Sequence, residues 1–208
     1  MMVSHNKEVV NIIDQIPMHS VGAEIGVWMG GSSSQFLNRR LKHLHLVDSW
    51  SVEPYKNTID NEHGSYENYL QKYAKLTGSV DPNAFQKYYD KVYEKVRDKF
   101  LDNLNVTIHR GTSNQFFDQF NKELDELLDW VYIDGDHSFS GCLNDLERSL
   151  EVLKPGGLIL GDDYRWPKQQ GMKLAGKDGV TQAVDEFIKL NPSFKIQQFG
   201  NTQFRIDI

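Results

Sequence analysis

The 208-residue chain predicts a doubly wound α/β fold: a parallel sheet enclosed between helices and closed by an antiparallel pair. Three observations lead there. Short apolar runs alternate with helical patterns, and that alternation implies a parallel sheet with helices on both faces. The early runs are continuous rather than alternating in polarity, as strands buried on both sides are. The chain ends in two short runs, 194–199 and 203–206, separated by Gly200-Asn201, which reads as a hairpin.

In chain order, a helix is expected over about 5–16, and strands at 21–27, 44–47, 106–109, 130–133 and 158–160. Between the last two, Phe139, Leu143, Leu146 and Leu150 fall on one helical face. Lys154-Pro155-Gly156-Gly157 reads as a helix stop and turn. One stretch exceeds what a crossover needs. Residues 84–101 look helical, but 51–83 form an insertion with no good strand pattern. It belongs to a region that holds Tyr55, Tyr66, Tyr69, Tyr73, Tyr88, Tyr89 and Tyr93. So many tyrosines argue against plain disorder. Tyr66, Tyr69 and Tyr73 have helical spacing, so a small helical lid is expected. Residues 165–179, rich in Gly, Lys and Gln, read as a second loop over the same end of the sheet.

Composition narrows the function classes. A net charge of -6 excludes a general nucleic-acid or anionic-membrane binder, whose phosphate contacts need a basic surface. The single cysteine, Cys142, supplies neither an internal disulfide nor a thiolate metal site; helix packing is its expected role. The N-terminal residues carry no long apolar run, so neither a signal peptide nor an anchor is expected, and the default is a cytoplasmic protein. The N-terminal helix and the insertion are candidate surfaces for a homo-oligomer.

Two constellations carry chemistry. The first is Glu24-Ile25-Gly26-Val27-Trp28-Met29-Gly30-Gly31-Ser32, where a strand gives way to a helix. Glycines here permit a sharp turn and close approach of a ligand. A dinucleotide fingerprint counted from Gly26 would need glycine where Trp28 stands. That ring blocks a pyrophosphate and argues against a nicotinamide-dependent oxidoreductase. A nucleotide-like ligand without a diphosphate is the better match. Asp48 follows the second strand about 20 residues later, where a carboxylate grips ribose hydroxyls. Glu24 sits inside an apolar strand and needs partners, from a ligand amine or backbone amides.

The motifs EIGVWMGGS, LHLVDSW, DWVYIDGDHS and LKPGGLILGDDY together resemble the class I S-adenosylmethionine-dependent methyltransferases. The resemblance covers most of residues 20–190 and leaves the tyrosine-rich insertion uncovered. It implies a Rossmann-like, seven-stranded sheet in the order 3-2-1-4-5-7-6 with only the last strand antiparallel. It also implies roles. Residues 24–30 (Glu24, Gly26, Val27, Trp28 and Gly30), with Ser32 beyond, would hold the methionine part. Asp48, with Ser49 and Trp50 beside it, would take the ribose. Gly111, Thr112 and Ser113 would approach the adenine, and Asp134 would lie at the cofactor.

The second constellation is Asp134-Gly135-Asp136-His137 after the fourth strand and Asp162-Asp163 after the fifth. Neighbouring strands lie about 4.8 Å apart, and two bare charges about 5 Å apart repel by roughly 3 kcal/mol at an effective dielectric of 20. A set of acids brought together in this way invites a cation. Oxygen ligands without cysteine suit Mg²⁺. The pattern is similar to the metal-dependent O-methyltransferases, such as the catechol and macrocin enzymes. That likeness implies Asp134, Asp162 and Asp163 as metal ligands and a small-molecule hydroxyl as acceptor. The base would be Asp136, slightly favoured, or His137. Tyr164, Arg165 and Trp166 are the nearest candidates to touch the acceptor. A non-catalytic domain that binds S-adenosylmethionine or a partner is the alternative from another class.

Overall fold

The computed structural model describes residues 10–56, 65–123, 126–165 and 178–208. Seven strands build one sheet: β1 (Val21–Ile25), β2 (His43–Asp48), β3 (Val106–Arg110), β4 (Leu128–Ile133), β5 (Leu153–Gly161), β6 (Lys195–Phe199) and β7 (Gln203–Asp207). Their order is β3-β2-β1-β4-β5-β7-β6. Only β7 runs antiparallel to its neighbours. The helices are α1 (Val10–Ile13), α2 (Gly31–Phe36), α3 (Tyr66–Thr77), α4 (Pro82–Phe100), α5 (Ser113–Glu123), α6 (Phe139–Val152) and α7 (Gly179–Leu190). Of the N-terminal helix expected over 5–16, residues 10–13 are helical, and 5–9 lie outside the described residues.

Alternate residues of the buried strands feed two cores. Val21, Ala23, Ile25, Val131, Ile133 and Ile159 pack under α5, α6 and α7. Leu44, Leu46, Trp130, Tyr132, Leu158 and Leu160 pack under α1, α2 and α4. Every residue of β1 is buried, which explains its unbroken apolar run. Cys142 packs in the first core, as expected. Chain order reverses at β1, which pairs with β2 on one side and β4 on the other. A crevice at the carboxyl ends of the strands opens at such a switch point.

Local signals explain the insertion. Ser65 caps α3, and Gly78 ends it at φ 74. Asp81 caps α4 with Pro82 in the first turn. Val52, Tyr69, Leu70 and Phe85 make a small separate core, with Tyr55, Tyr66, Tyr73 and Tyr89 packed against it. The helical expectation for the tyrosine region therefore holds. Residues 57–64 lie outside the described residues. One expectation is corrected. Lys154-Pro155-Gly156-Gly157 belongs to β5, not to a free turn. Leu153 pairs with Leu128 and Leu158 with Trp130, so the extra residues bulge from the ladder, with Gly156 at φ 78. A bulge keeps both ends of a strand paired while absorbing residues that would otherwise break it.

At the sheet edge, His43, His45 and His109 cluster. His45 Nδ1 and His109 Nε2 are 3.0 Å apart, and the His43 and His45 rings are 4.7 Å apart. Burial pushes His45 from the usual 6.5 down to about 3, with the His109 and His43 charges adding to the fall. The unfolded chain therefore takes up protons below pH 6.5 that the folded chain refuses, and stability is lost as pH falls from 6.5 toward 3. The slope is on the order of 1 kcal/mol per pH unit for each imidazole so held. Urea midpoints should drop between pH 7 and pH 5, and His45→Gln should flatten that drop. Equal midpoints at both pH values in the unaltered chain would contradict this.

Candidate active site

The carboxyl ends of β1, β2, β4 and β5 bring the two constellations together. Gly26 turns the chain at φ 91, and a Cβ there would lie 2.1 Å from the Asp134 carbonyl oxygen. The close approach is strand to strand: Asp134 N–H donates to the Ile25 carbonyl at 2.8 Å. Glu24 is fully buried. Its carboxyl accepts from the Ser32 and Ser33 hydroxyls at the start of α2. Within the protein its partners are thus hydroxyls at the start of the following helix rather than the backbone amides expected. Burial pushes Glu24 up to about 8; the two serines oppose this, and the Asp134 and Asp48 charges add to it.

Asp48 holds the loop. Its Oδ2 accepts from Val27 N–H at 3.1 Å and Trp28 N–H at 2.8 Å. Its Oδ1 accepts from Trp50 N–H at 2.7 Å. Burial raises its carboxyl, and those amides oppose the rise. A carboxylate has about four lone-pair sites, so acceptor capacity remains for a hydroxyl. Trp28 and Trp50 both sit at positive φ, 45 and 41. The Trp50 indole is buried and donates to the Trp28 carbonyl at 2.9 Å. The Trp28 side of the loop is open, with the residue 48% exposed. Ser49 follows Asp48 in the same turn.

After β3, Gly111 N–H donates to the Asp48 carbonyl at 2.9 Å. Thr112 and Gln115 cap α5 reciprocally, at 2.9 and 3.3 Å, as a capping box does. Ser113 bonds the buried carboxyl of Asp145, which burial pushes up to about 7. Beside this loop lies a cleft of about 440 Å³ bordered by His109, Arg110, Gly111, Thr112 and Gln115.

The acids divide. Asp134, His137 and Asp163 each offer one ligand atom within 4.8 Å of the others. His137 Nε2 is 3.5 Å from Asp134 Oδ1, and its Nδ1 is 3.2 Å from Asp163 Oδ2. Asp163 reaches this position from a left-handed backbone, φ 62, a conformation Asp tolerates better than most residues. Two residues assigned from the sequence sit apart from this group. Asp162, expected as a metal ligand, lies outside the group: its Oδ1 accepts from Thr202 Oγ1 and from Asp163 N–H. Asp136, the favoured base, points to the start of α6, where its Oδ1 accepts from Ser138 N–H at 2.9 Å. Ser138 itself caps α6 by accepting from Gly141 N–H at 3.0 Å. The imidazole of His137, not the Asp136 carboxylate, joins Asp134 and Asp163.

In the run Tyr164-Arg165-Trp166 after β5, Tyr164 differs from expectation. Tyr164 is buried in the core and donates to Asp185 at 2.8 Å, so it does not face an acceptor. Arg165 lies over the Tyr164 ring. Trp166 lies outside the described residues, as does most of the 165–179 loop.

Residues 23–164 match a family model described as a methyltransferase domain. The chain belongs to this methyltransferase family. Its sheet order is that of the class I S-adenosylmethionine-dependent methyltransferases. An uncharacterized protein of Acanthamoeba polyphaga mimivirus, R132, is 27% identical over 156 residues, 70% of this chain and 53% of that protein. The methyltransferase chain thus spans about half the length of the curated relative it matches. Among solved structures it is similar to an O-methyltransferase from Bacillus cereus in complex with S-adenosylhomocysteine. That match has a TM-score of 0.60 and 15% identity, covering 100% of this chain and 82% of that one. It is also similar to the O-methyltransferase TomG from Streptomyces achromogenes in complex with S-adenosylmethionine. There the TM-score is 0.52 and the identity 12%, over 98% and 78% of the two chains. At such identities the likeness shows the fold.

Several site residues of this methyltransferase escape sequence reasoning. On α4, Lys99 Nζ donates to the Gly30 carbonyl, and Phe100 backs Gly30. Gln86 and Arg110 donate to the Trp50 carbonyl at 3.1 and 3.3 Å, and Asp90 pairs with Arg110. The helix after the insertion therefore clamps the glycine loop. Ser33 alone left a signal, since the run Ser32-Ser33-Ser34 offers its hydroxyl beside that of Ser32. Thr202 had none, since it meets Asp162 only through β7. Among the described residues no helix is long and apolar enough to cross a membrane.

Proposed function

We propose that this methyltransferase uses S-adenosylmethionine to methylate a hydroxyl of a small molecule, with a divalent cation at the acidic end of the cleft. The observation that carries the reading is the convergence of Glu24, Asp48 and Asp134 on one crevice, with His137 and Asp163 beside them. Neighbours of the same fold carry S-adenosylhomocysteine or S-adenosylmethionine, which supports the cofactor.

In this reading Glu24 and the loop through Gly30 hold the amino-acid end of the cofactor, and Asp48 spends its remaining acceptor capacity on the ribose. Gly111, Thr112 and Ser113 approach the adenine, beside the cleft that two of them border. Asp134 and Asp163 would hold the metal, Mg²⁺ by the hardness of their oxygens. When bound, a metal here supplies Lewis-acid activation of the acceptor hydroxyl. The donor set fits such an ion, because the two carboxylates offer hard oxygens within 4.8 Å of one another. His137 lies between the two carboxylates; with those acids turned to a cation, one ring nitrogen would be left unprotonated to take the proton of the acceptor hydroxyl, while the other keeps its hydrogen bond. The acceptor oxygen then forms its bond to the methyl carbon as the carbon–sulfur bond breaks in line, releasing S-adenosylhomocysteine. Holding the two reactants in line supplies much of the rate. The acceptor enters between the insertion and the end of β5, in a protein we place in the cytoplasm.

Isothermal titration with S-adenosylhomocysteine should give saturable binding. Absence of heat at millimolar ligand would reject the cofactor. Radiolabelled methyl transfer into a pool of hydroxylated acceptors, stimulated by Mg²⁺, should follow. Tight cofactor binding with no transfer to any acceptor would instead favour a non-catalytic binding domain.

A further inference from the structure

The segment that carries Asp163 bends where a chain of L-residues ordinarily does not. Asp163 and Arg165, on either side of Tyr164, both stand at positive φ, 62 and 61. Asp tolerates the left-handed region, whereas Arg has no short polar side chain to help it there. Such a conformation persists only where surrounding contacts over-determine it, and it gathers at functional sites. Here the bend has a direct consequence. It brings the Asp163 carboxylate to 3.2 Å from His137 Nδ1, within the group that includes Asp134. The Asp134, His137 and Asp163 side chains remain 33, 32 and 32% exposed, so an ion arriving from solvent can reach them.

Tyr164 is the centre of what holds the bend. Its N–H donates to the Thr202 carbonyl at 2.8 Å. Its ring is buried and packs edge-on against Phe204, with the centroids 5.9 Å apart. Its hydroxyl donates to Asp185 Oδ1 on α7 at 2.8 Å. One residue later, Arg165 N–H donates to Thr181 Oγ1, also on α7, at 2.7 Å. One residue earlier, Asp163 N–H donates to the Asp162 carboxylate at 2.8 Å, and Thr202 holds that carboxylate in turn. Thr202, at the start of β7, thus fixes one side of the segment and α7 fixes the other. A phenylalanine would keep the ring contacts and lose only the bond to Asp185.

We infer that Tyr164 is a positioning residue for the cation site: its hydroxyl, tied to Asp185, holds Asp163 in the left-handed bend that turns that carboxylate toward Asp134 and His137. This rests on the proposed cation at the acidic end of the cleft. It adds that the geometry of that end is set from α7, which supplies none of the three side chains.

The test uses the whole chain with Mn²⁺ alone as the probe. Mn²⁺ affinity is read by electron paramagnetic resonance for wild type, Tyr164→Phe, Asp185→Ala and Asp185→Asn, and each protein is melted. Tyr164→Phe and Asp185→Ala should each bind Mn²⁺ about fivefold more weakly, the worth of one ordinary hydrogen bond. Asp185→Asn keeps an accepting oxygen and should stay closer to wild type than Asp185→Ala does. Unchanged Mn²⁺ affinity in Tyr164→Phe overturns the inference even if that variant melts lower, because the bond then serves stability alone. An Asp185→Asn as weak as Asp185→Ala also overturns it, since the charge and not the bond would be the cause. Crystal structures of ion-free wild type and Tyr164→Phe supply a readout that needs no metal. The 3.2 Å approach of Asp163 to His137 should be lost in the variant, and its persistence there overturns the inference. If the wild type binds no Mn²⁺, the cation reading fails, and the two crystal structures still decide whether Tyr164 sets the position of Asp163.

Discussion

Gly26→Ala should lower the melting temperature by roughly 10 °C and remove measurable binding of S-adenosylhomocysteine. Two effects add. The residue sits at φ 91, where a side chain strains the backbone by about 1–3 kcal/mol. The new methyl would also meet Asp134 backbone atoms at 2.1 and 2.4 Å and the Gly135 Cα at 2.6 Å. Those neighbours are main chain, so they cannot swing aside as a flexible side chain would. Overpacking of this kind adds about 1–3 kcal/mol. The sum, near 4 kcal/mol, is a large share of the 5–15 kcal/mol that holds a typical domain together. In a chain of this size each kcal/mol moves the melting temperature by about 2–4 °C. The function suffers separately, because relieving the clash must push β4 away from β1 at the crevice. Differential scanning calorimetry reads the first effect and titration the second. A variant that melts within 2 °C of wild type (~1 kcal/mol or less) would show that the strand ends are not packed as tightly as described.

The second large effect separates the acids. Asp134→Asn and Asp163→Asn should each weaken Mn²⁺ binding, read by electron paramagnetic resonance as a stand-in for Mg²⁺, by about tenfold or more, since affinity for hard cations follows ligand charge and number. Asp162→Asn should weaken it by less than about threefold, because that carboxylate is already engaged by Thr202 and by Asp163 N–H; removing a group outside the ligand set changes little of the charge that sets affinity. If Asp162→Asn instead matches the other two, the grouping expected from the sequence is the one that binds metal. Methyl transfer should fall in parallel with metal affinity for Asp134→Asn and Asp163→Asn. Loss of transfer with metal binding intact would assign those acids to positioning the acceptor.

Much of the fold was legible because it rests on local patterns. Buried parallel strands read as short apolar runs, Gly200-Asn201 announced the closing hairpin, and the spacing of Tyr66, Tyr69 and Tyr73 announced α3. Where the reading failed, the deciding interaction was remote. Lys154-Pro155-Gly156-Gly157 has every local mark of a turn, yet pairing on both sides with β4 carries it into β5 as a bulge. Tyr164 looked like a residue at the mouth of the site, yet its hydroxyl finds Asp185 on α7, 21 positions away. The site was legible as a set of residue types at strand ends and illegible as a set of directions. A run such as Asp162-Asp163 reveals that charge gathers there. It does not reveal that one side chain turns toward β7 and the other toward His137.

The sequence by itself determined the sheet and the place of the crevice, because hydrophobic periodicity and glycine spacing are written in neighbouring residues, and four motifs carried the family resemblance. Only the tertiary structure decided which polar groups are already engaged. Asp48 holds the glycine loop through three backbone amides, Asp136 serves the start of α6, and Glu24 is enclosed by Ser32 and Ser33. The physical reason is that hydrogen bonds saturate: each lone pair spent on the protein's own groups is one fewer for a ligand. Which groups are spent depends on contacts between strands and helices far apart in the chain.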